Sequence, residues 1–282
     1  MKVIICLFFS LFVVVGFSQN KNIEKTKAKT LKIAYELYKS ELASWNSTDI
    51  LYESFSNRMN EIGGYLSYTV GENTIAIYYD KTEDKNVIFS VTYPEIVIFK
   101  NKFEIDTIVR NPNPKELRLI AARDKSRDIA YTNDSKVFSF YEKTSYNFIP
   151  IIYDHKIIVY SLTAPTTGTS VLIGNDYKFE FDKKDRFKKV NKIHNTLFYY
   201  PYKAKEGQST IKSITHSHII EDYLIISETD ICTLLLYKDY VEWDTCSVIS
   251  KEYVSFWNME KEELVVLTRK AWDKIANAQT EN

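Results

Sequence analysis

Glycine is scarce: the chain has seven in 282 residues, and no stretch concentrates them. Phosphate loops need glycine where backbone N–H groups approach a phosphate closely. No Walker-type loop and no dinucleotide fingerprint is therefore present, and most nucleotide enzymes are excluded. An excess of one charge is missing too. Lys+Arg and Asp+Glu are each 37, for a formal net charge of +0. Nucleic-acid binders usually carry a basic excess on the binding face, so nucleic acid is not an expected partner. There is no Gly-x-Ser-x-Gly elbow and no His-Glu-x-x-His pair, which removes two sequence-legible hydrolase classes. Beyond the first eighteen residues no apolar run has the length of a membrane-spanning helix.

What is present begins with a leader. Lys2 precedes an almost unbroken apolar run over 3–17, and Gly16-Phe17-Ser18 puts small residues at the −3 and −1 positions before Gln19. This is the form of a secretory signal peptide cleaved after Ser18. Cys6 lies inside the apolar run and not just after the cut, which argues against lipidation. The expected compartment is periplasmic or extracellular, with no membrane span once the leader is removed. The expected mature chain, 19–282, is a single unit, or two packed halves 19–134 and 135–282 meeting at the polar stretch Asn133-Asp134-Ser135. Export leaves Cys232 and Cys246, an even count that reads first as a disulfide. Closing that loop would add about 3 kcal/mol. The competing reading is a reactive thiol near the histidines.

Periodicity predicts an α+β fold: an antiparallel strand-rich body, an amphipathic N-terminal helix, one or two internal helices and a C-terminal helix. Leu31, Ala34, Tyr35, Tyr38 and Leu42 recur at helical spacing within a helix predicted over 22–44. Strands are expected over 65–70, 74–79, 86–92, 96–99 and 104–109. Asn113-Pro114 opens a helix to about Ile129, with Leu117, Ile120, Ala121 and Ile129 facing inward. A second strand-rich region covers 136–141, 147–152, 156–162, 170–173, 177–181 and 209–215, followed by strands over 246–249, 254–257 and 263–267 and a helix over 269–278. Ser227-Glu-Thr-Asp230 has the form of a capping box, which predicts a helix over 228–238. The rival is a hairpin that sets Cys232 across from Cys246.

The four histidines all lie between residues 136 and 219, and His216-Ser-His218 is a His-x-His pair at a strand end. Residues i and i+2 of a strand share a side, so both imidazoles can meet one metal ion. Asp230 is the first choice of carboxylate, with Glu221 and Asp222 nearer in sequence. His194 is a weaker third imidazole. The alternative is that the histidines cap backbone groups or bond to Asp222 or Asp230.

His216-Ser-His218, then Ser227-x-x-Asp230 opening a helix, then paired strands, resembles the metal motif of the JAB/MPN (JAMM) metallopeptidases. The resemblance implies His216, His218 and Asp230 as zinc ligands, Ser227 assisting an oxyanion, and a metal-bound water attacking an amide carbonyl. It covers about fifty residues, with a loop one residue longer than usual and Ile219 where proline is normal. The family's general-base glutamate has no clear counterpart; Glu142 and Glu180 are merely available. Gly63-Gly-Tyr-Leu-Ser-Tyr68, Gly174-Asn-Asp-Tyr177 and the leader's Phe-Ser-Gln ending resemble segments of secreted Bacteroidetes proteins.

Aromatic residues are abundant: 21 Tyr, 16 Phe and 4 Trp. Clusters such as Tyr78-Tyr79 and Tyr199-Tyr200-Pro-Tyr202 either fill the core or offer faces for a glycan or a protein partner. Two functions are therefore expected. The first is an exported, non-catalytic binding or interaction protein with a protein or glycan partner. The second is a zinc-dependent hydrolase of amide bonds centred on His216, His218 and Asp230.

Overall fold

The computed structural model describes residues 3–94, 102–132, 134, 136–168, 170–202 and 210–280, with side chains from 21 to 278. Helix α1 (Val3–Ser54) leads into β1 (Ile62–Val70), β2 (Asn73–Asp80), β3 (Val87–Tyr93) and β4 (Glu104–Asp106), an antiparallel sheet in that order. Helix α2 (Pro114–Thr132) follows. Then come β5 (Thr144–Tyr153), β6 (Lys156–Pro165), β7 (Ser170–Gly174), β8 (Tyr177–Phe181), β9 (Phe187–Lys192) and β10 (Leu197–Pro201). They form a sheet ordered β5-β6-β8-β9 and a β10-β7 ribbon. The chain continues as β11 (Ser213–Ser217), α3 (Glu228–Tyr237), β12 (Thr245–Ile249), β13 (Tyr253–Asn258), β14 (Glu263–Thr268) and α4 (Arg269–Thr280), with the strands in one sheet. The fold is α+β, with helices at both ends. The segment expected as a strand over 96–99 lies outside the described residues, as do Asn133 and Ser135 of the expected boundary. Among the described residues no helix is long and apolar enough to cross a membrane.

One pair departs from the antiparallel expectation. β11 runs parallel to β12, with His216 opposite Val248. A parallel pair needs a crossover, and α3 supplies it. This β-α-β unit places the end of β11 and the start of α3 side by side.

Helix α1 extends ten residues past its predicted end at Ser44, and it does not have a single apolar face. Ala34 packs in the core beneath β11–β14, Ile33 and Leu37 in the core over β5–β6, and Ala43 and Leu51 in the core of β1–β3. A helix enclosed on several sides loses the one-sided stripe by which amphipathic helices are read. Small polar residues permit the close approach. Ser44 Oγ donates to Ser40 O at 3.0 Å and Thr48 Oγ1 to Ser44 O at 2.7 Å, so their hydroxyls are satisfied within the helix.

Helix α2 is rotated relative to its predicted face. Ile120 and Ile129 face the core as expected, but Leu117 and Ala121 are exposed, and Leu119, Ala122 and Ala130 are buried in their place. The cause is Glu116, which is fully buried and takes both guanidinium N–H groups of Arg110 at 2.8 Å and the Tyr68 hydroxyl at 2.7 Å. With Glu116 anchored inward, Leu117 swings about 100° away. The cap at Asn113 is reciprocal: Asn113 Oδ1 accepts from Glu116 N, and Glu116 Oε2 from Asn113 N.

Residues 136–141 form no strand. Their backbone bonds go to side chains instead: Ser139 N donates to the Tyr177 hydroxyl at 3.0 Å, and Ser139 O accepts from the Tyr146 hydroxyl at 2.6 Å. The strand predicted over 209–215 begins only at Ser213, and Ser209 lies outside the described residues.

The expected disulfide is absent. Cys232 and Cys246 are both free and buried. The capping box makes α3 a helix, which removes the hairpin that would have paired them. Cys232 and Leu236, one turn apart, face the core over β5–β6, while Ile231, Leu234 and Leu235 face the core that holds Cys246. The two thiols serve as small apolar residues in different cores. Burial pushes both thiols well above their ordinary range, which opposes the reactive-thiol reading as well. Tyr78 and Tyr79 are likewise core residues.

A buried carboxyl sits where α1 meets β1, β5 and α2. Glu41 is 4% exposed, accepts from Asn147 Nδ2, and lies near Arg123, which covers the Tyr65 ring at 4.5 Å. Burial pushes its pKa up to about 7, against the opposing pull of Arg123 and Asn147. A folded-state pKa above the unfolded value means stability that is full below about 4.5 and is lost as pH rises through about 7. At higher pH the ionised group costs about 3 kcal/mol. Glu41→Gln, which keeps an acceptor for Asn147, is expected to be more stable than the wild type by about 1–3 kcal/mol at pH 8 and no more stable at pH 4. Urea denaturation at the two pH values measures this, and a difference independent of pH would refute it.

Candidate metal centre

Three segments deliver four side chains to a common point: β11 with its extension, the first turn of α3, and the loop between β9 and β10. β11 alternates exposed and buried residues, so Ile214 and His216 turn inward, and His218 continues that face just past the strand. His218 N donates to Ile249 O at 2.9 Å, which extends the parallel ladder to the second histidine. Asp230 arrives on the first turn of α3. Ser227 is the N-cap: its hydroxyl accepts from Asp230 N, and Asp230 Oδ2 accepts from Ser227 N at 2.9 Å. His194 comes from the loop between β9 and β10. That loop is held by a corner at Gly174-Asn175-Asp176, where Asn175 N donates to Thr196 O at 2.9 Å and Ile193 N to Asp176 O at 2.9 Å. Gly174 has φ +103°, and a Cβ there would stand 2.3 Å from Thr196 O, so only glycine lets the loop close on this corner.

His194, His216, His218 and Asp230 are each 5% exposed or less. They form a group that can hold a metal ion, with one ligand atom from each lying within 4.8 Å of the others. The contacts are tighter than that limit. His218 Nε2 lies 3.1 Å from His194 Nε2 and 3.2 Å from His216 Nε2. Asp230 Oδ1 lies 3.1 Å from His194 Nε2 and 3.4 Å from His216 Nε2, and Asp230 Oδ2 lies 3.2 Å from His218 Nε2. Ligands ~2.0–2.1 Å from a tetrahedral centre stand ~3.3 Å apart. The five separations above are close to that length, two of them to Asp230 Oδ1 and one to Oδ2.

A proton on His194 Nε2 can reach Asp230 Oδ1 or His218 Nε2, both at 3.1 Å, and so can pair part of the group. His218 Nδ1 lies 3.0 Å from Ile225 O, and a carbonyl only accepts, so the ring proton is on Nδ1. Burial holds the His218 pKa below its ordinary value despite Asp230, which favours the neutral ring with its Nε2 lone pair turned to the group. That lone pair faces a carboxylate oxygen at 3.2 Å, an arrangement of two acceptors that a nearby proton or a cation relieves. Asp230 Oδ1 is buried with only the His194 and His216 ring nitrogens within reach, whereas Oδ2 takes both the Ser227 N–H and its hydroxyl. Burial would raise the Asp230 pKa, but the charges of His194 and His216 hold it well below the carboxylate range. Burial likewise opposes a charge on His194, yet Asp230 and Asp176 lift it to about 10. The protein field at this point calls for positive charge.

Asp176 stands behind the group. Its Oδ2 is 3.3 Å from His194 Nδ1, an ion-pair contact, and its Oδ1 accepts from Thr163 N at 3.1 Å. A carboxylate behind a ligating imidazole fixes the ring and raises its basicity.

Of the other sequence candidates, Glu221, Asp222 and Glu142 are exposed. Glu180 lies on the outer sheet and accepts from Asn191 Nδ2. Among the described residues no glutamate joins the group. Ser227 has its hydroxyl committed to Asp230 and the cap. His155 occupies the β5–β6 turn with φ 60°, far from chemistry. Asp176 went unread because nothing in Gly-Asn-Asp-Tyr marks a second carboxylate; only the fold brings it behind His194. No known protein family, curated protein or solved structure matches this chain.

Asp176→Asn is expected to lower affinity for Zn²⁺ about 10–100-fold with the fold intact. Competition against a chromophoric chelator measures the affinity and far-UV circular dichroism checks the fold; unchanged affinity would refute the role.

Proposed function

We propose that this chain is an exported, non-catalytic binding protein whose C-terminal half is clamped by one tetrahedral zinc ion. The observation that carries the reading is His194. It would take the fourth corner, so that three imidazoles and one carboxylate oxygen would complete the coordination. Structural zinc sites are closed by four protein ligands, and catalytic ones keep a position for water. Imidazole and carboxylate suit zinc, which accepts tetrahedral geometry without electronic cost. A hydrolase of the JAMM type would need that fourth corner for water and a carboxylate beside it, and here an imidazole would take the corner.

The ion would tie the β9–β10 loop to β11 and α3, which are not neighbours in sequence. Binding only the folded state, it adds about 4 kcal/mol at a thousandfold excess over Kd. The binding role draws support from the surface. Tyr131 and Phe140, each more than half exposed, stack with centroids 5.8 Å apart, and such a pair suits a protein or glycan partner.

The test is elemental analysis of the untagged chain 19–282 beside the His216→Ala/His218→Ala variant, with thermal melts before and after chelation. The expected result is near-stoichiometric zinc in the wild type, its loss in the variant, and a lower Tm on chelation. No retained metal, with no Tm response to added zinc, would overturn the zinc clamp. Chelator-sensitive peptidase turnover would overturn the non-catalytic part.

A further inference from the structure

A second polar feature lies on the other side of α3. A cleft of about 370 Å³ opens between the 22–33 part of α1, strands β8 and β9, the 222–226 segment and Glu228. Its floor is the face of the β5-β6-β8-β9 sheet that carries the core. Lys178 pairs with Tyr160 on one side and Asn191 on the other, and Glu180 with Lys189. Cross-strand partners share a face, and Tyr160 is fully buried on that face. The sheet therefore turns lysine and glutamate side chains toward α1 at the point where its neighbours turn apolar ones. Buried polar groups of this kind are the informative exception to hydrophobic burial.

The polar groups are unevenly partnered. Lys178 has a side chain 16% exposed, and its nearest carboxylate oxygen, Glu180 Oε1, is 3.9 Å away, beyond hydrogen-bond reach. That oxygen already accepts from Asn191 Nδ2 at 2.9 Å and lies 3.5 Å from Lys189. Glu228 is 7% exposed and takes the Tyr160 hydroxyl at 2.6 Å through one oxygen. Lys29, Lys178 and Lys189 are matched in number by Glu180, Asp222 and Glu228, and aliphatic side chains such as Ile33 and Leu224 complete the wall. The cleft thus offers Lys178 and Lys189 on the sheet side with Glu180 between them, Lys29 on α1, carboxylates at Glu228 and Asp222, and apolar area between the two sides.

We infer that this cleft binds a small zwitterion, a free amino acid or dipeptide, with its carboxylate on Lys178 and Lys189 and its ammonium on Glu228 and Asp222. Balanced lining charge fits a ligand of no net charge, and the volume is at the lower end of small-molecule sites. A simple anion would leave Glu228 facing like charge, and a simple cation would leave Lys178 unpaired. The inference names a ligand for the proposed binding protein and so rests on that reading, but not on the zinc ion.

The experiment is isothermal titration of the zinc-replete chain with the common free amino acids and alanyl dipeptides, followed by N-acetylated and amide-capped forms of any that bind. Saturable binding is expected for at least one zwitterion. Each cap should weaken it, and Lys178→Met and Glu228→Gln should each weaken it about tenfold or more. Lys189→Met, at the rim with a side chain 57% exposed, provides a variant that perturbs the core least and should weaken binding in the same direction. No binding by any compound at millimolar concentration, equal binding of the capped forms, or unchanged affinity in the variants would overturn the inference. Zinc content measured on the same samples separates this failure from that of the metal reading.

Discussion

An ionised carboxylate with no access to water is the constraint on which the C-terminal half depends. Asp230 is 1% exposed and fully committed at one oxygen. Its other oxygen points at two imidazoles. A buried charge of this kind costs several kcal/mol unless it is paired. Pairing in turn demands that β11, the β9–β10 loop and the α3 N-terminus arrive at one point. The parallel β11–β12 pairing, the glycine corner at Gly174 and the capping box all serve that convergence. The same carboxylate performs two tasks without conflict because its two oxygens divide them. Oδ2 closes the helix cap, and Oδ1 is left for a cation.

Helix α1 plays the corresponding part for the whole molecule. It contributes buried residues to three of the four cores, and the fourth joins β1–β2 to β5–β8 across the polar stretch at residue 134. The sheets are coupled through the helix and through this shared core. The cleft lies between the 22–33 part of α1 and strands β8 and β9, beside the core that Ile33 and Leu37 fill.

The local signals in the sequence were legible wherever the chemistry is local. Strands β1, β2 and β3 follow from alternation, whereas the strand expected over 104–109 ends at Asp106; the caps at Asn113 and Ser227 follow from residue type at fixed offset. The grouping of His216, His218 and Asp230 was readable because a strand end and a helix start are each visible separately. Three features depended on tertiary burial instead. The α2 face is set by Glu116 and its partner Arg110, a pairing that hydrophobic periodicity cannot register. The strand expected over 136–141 lost its ladder to the Tyr146, Asn175 and Tyr177 side chains. The disulfide was inferred from compartment and count, whereas helical phase sends Cys232 and Cys246 to different cores.

The helix field decides how a cation can be held at this site. The α3 N-terminus presents unsatisfied N–H groups and the positive end of a dipole, which favours anions and repels a metal ion. A ring of imidazoles placed there alone would bind a cation poorly. Asp230 removes the difficulty by standing between the two. Its Oδ2 absorbs the Ser227 N–H and hydroxyl, and Ser227 Oγ in turn takes the Asp230 N–H. The helix end is then neutralised before its field reaches the centre, and the negative charge at Oδ1 is left facing inward. His218 is fixed by the Ile225 carbonyl and His194 is backed by Asp176, so two of the three rings are oriented independently of any ion. Such preorganisation is needed by a site that binds metal tightly, and it would be an unexplained expense of buried polarity in one that does not.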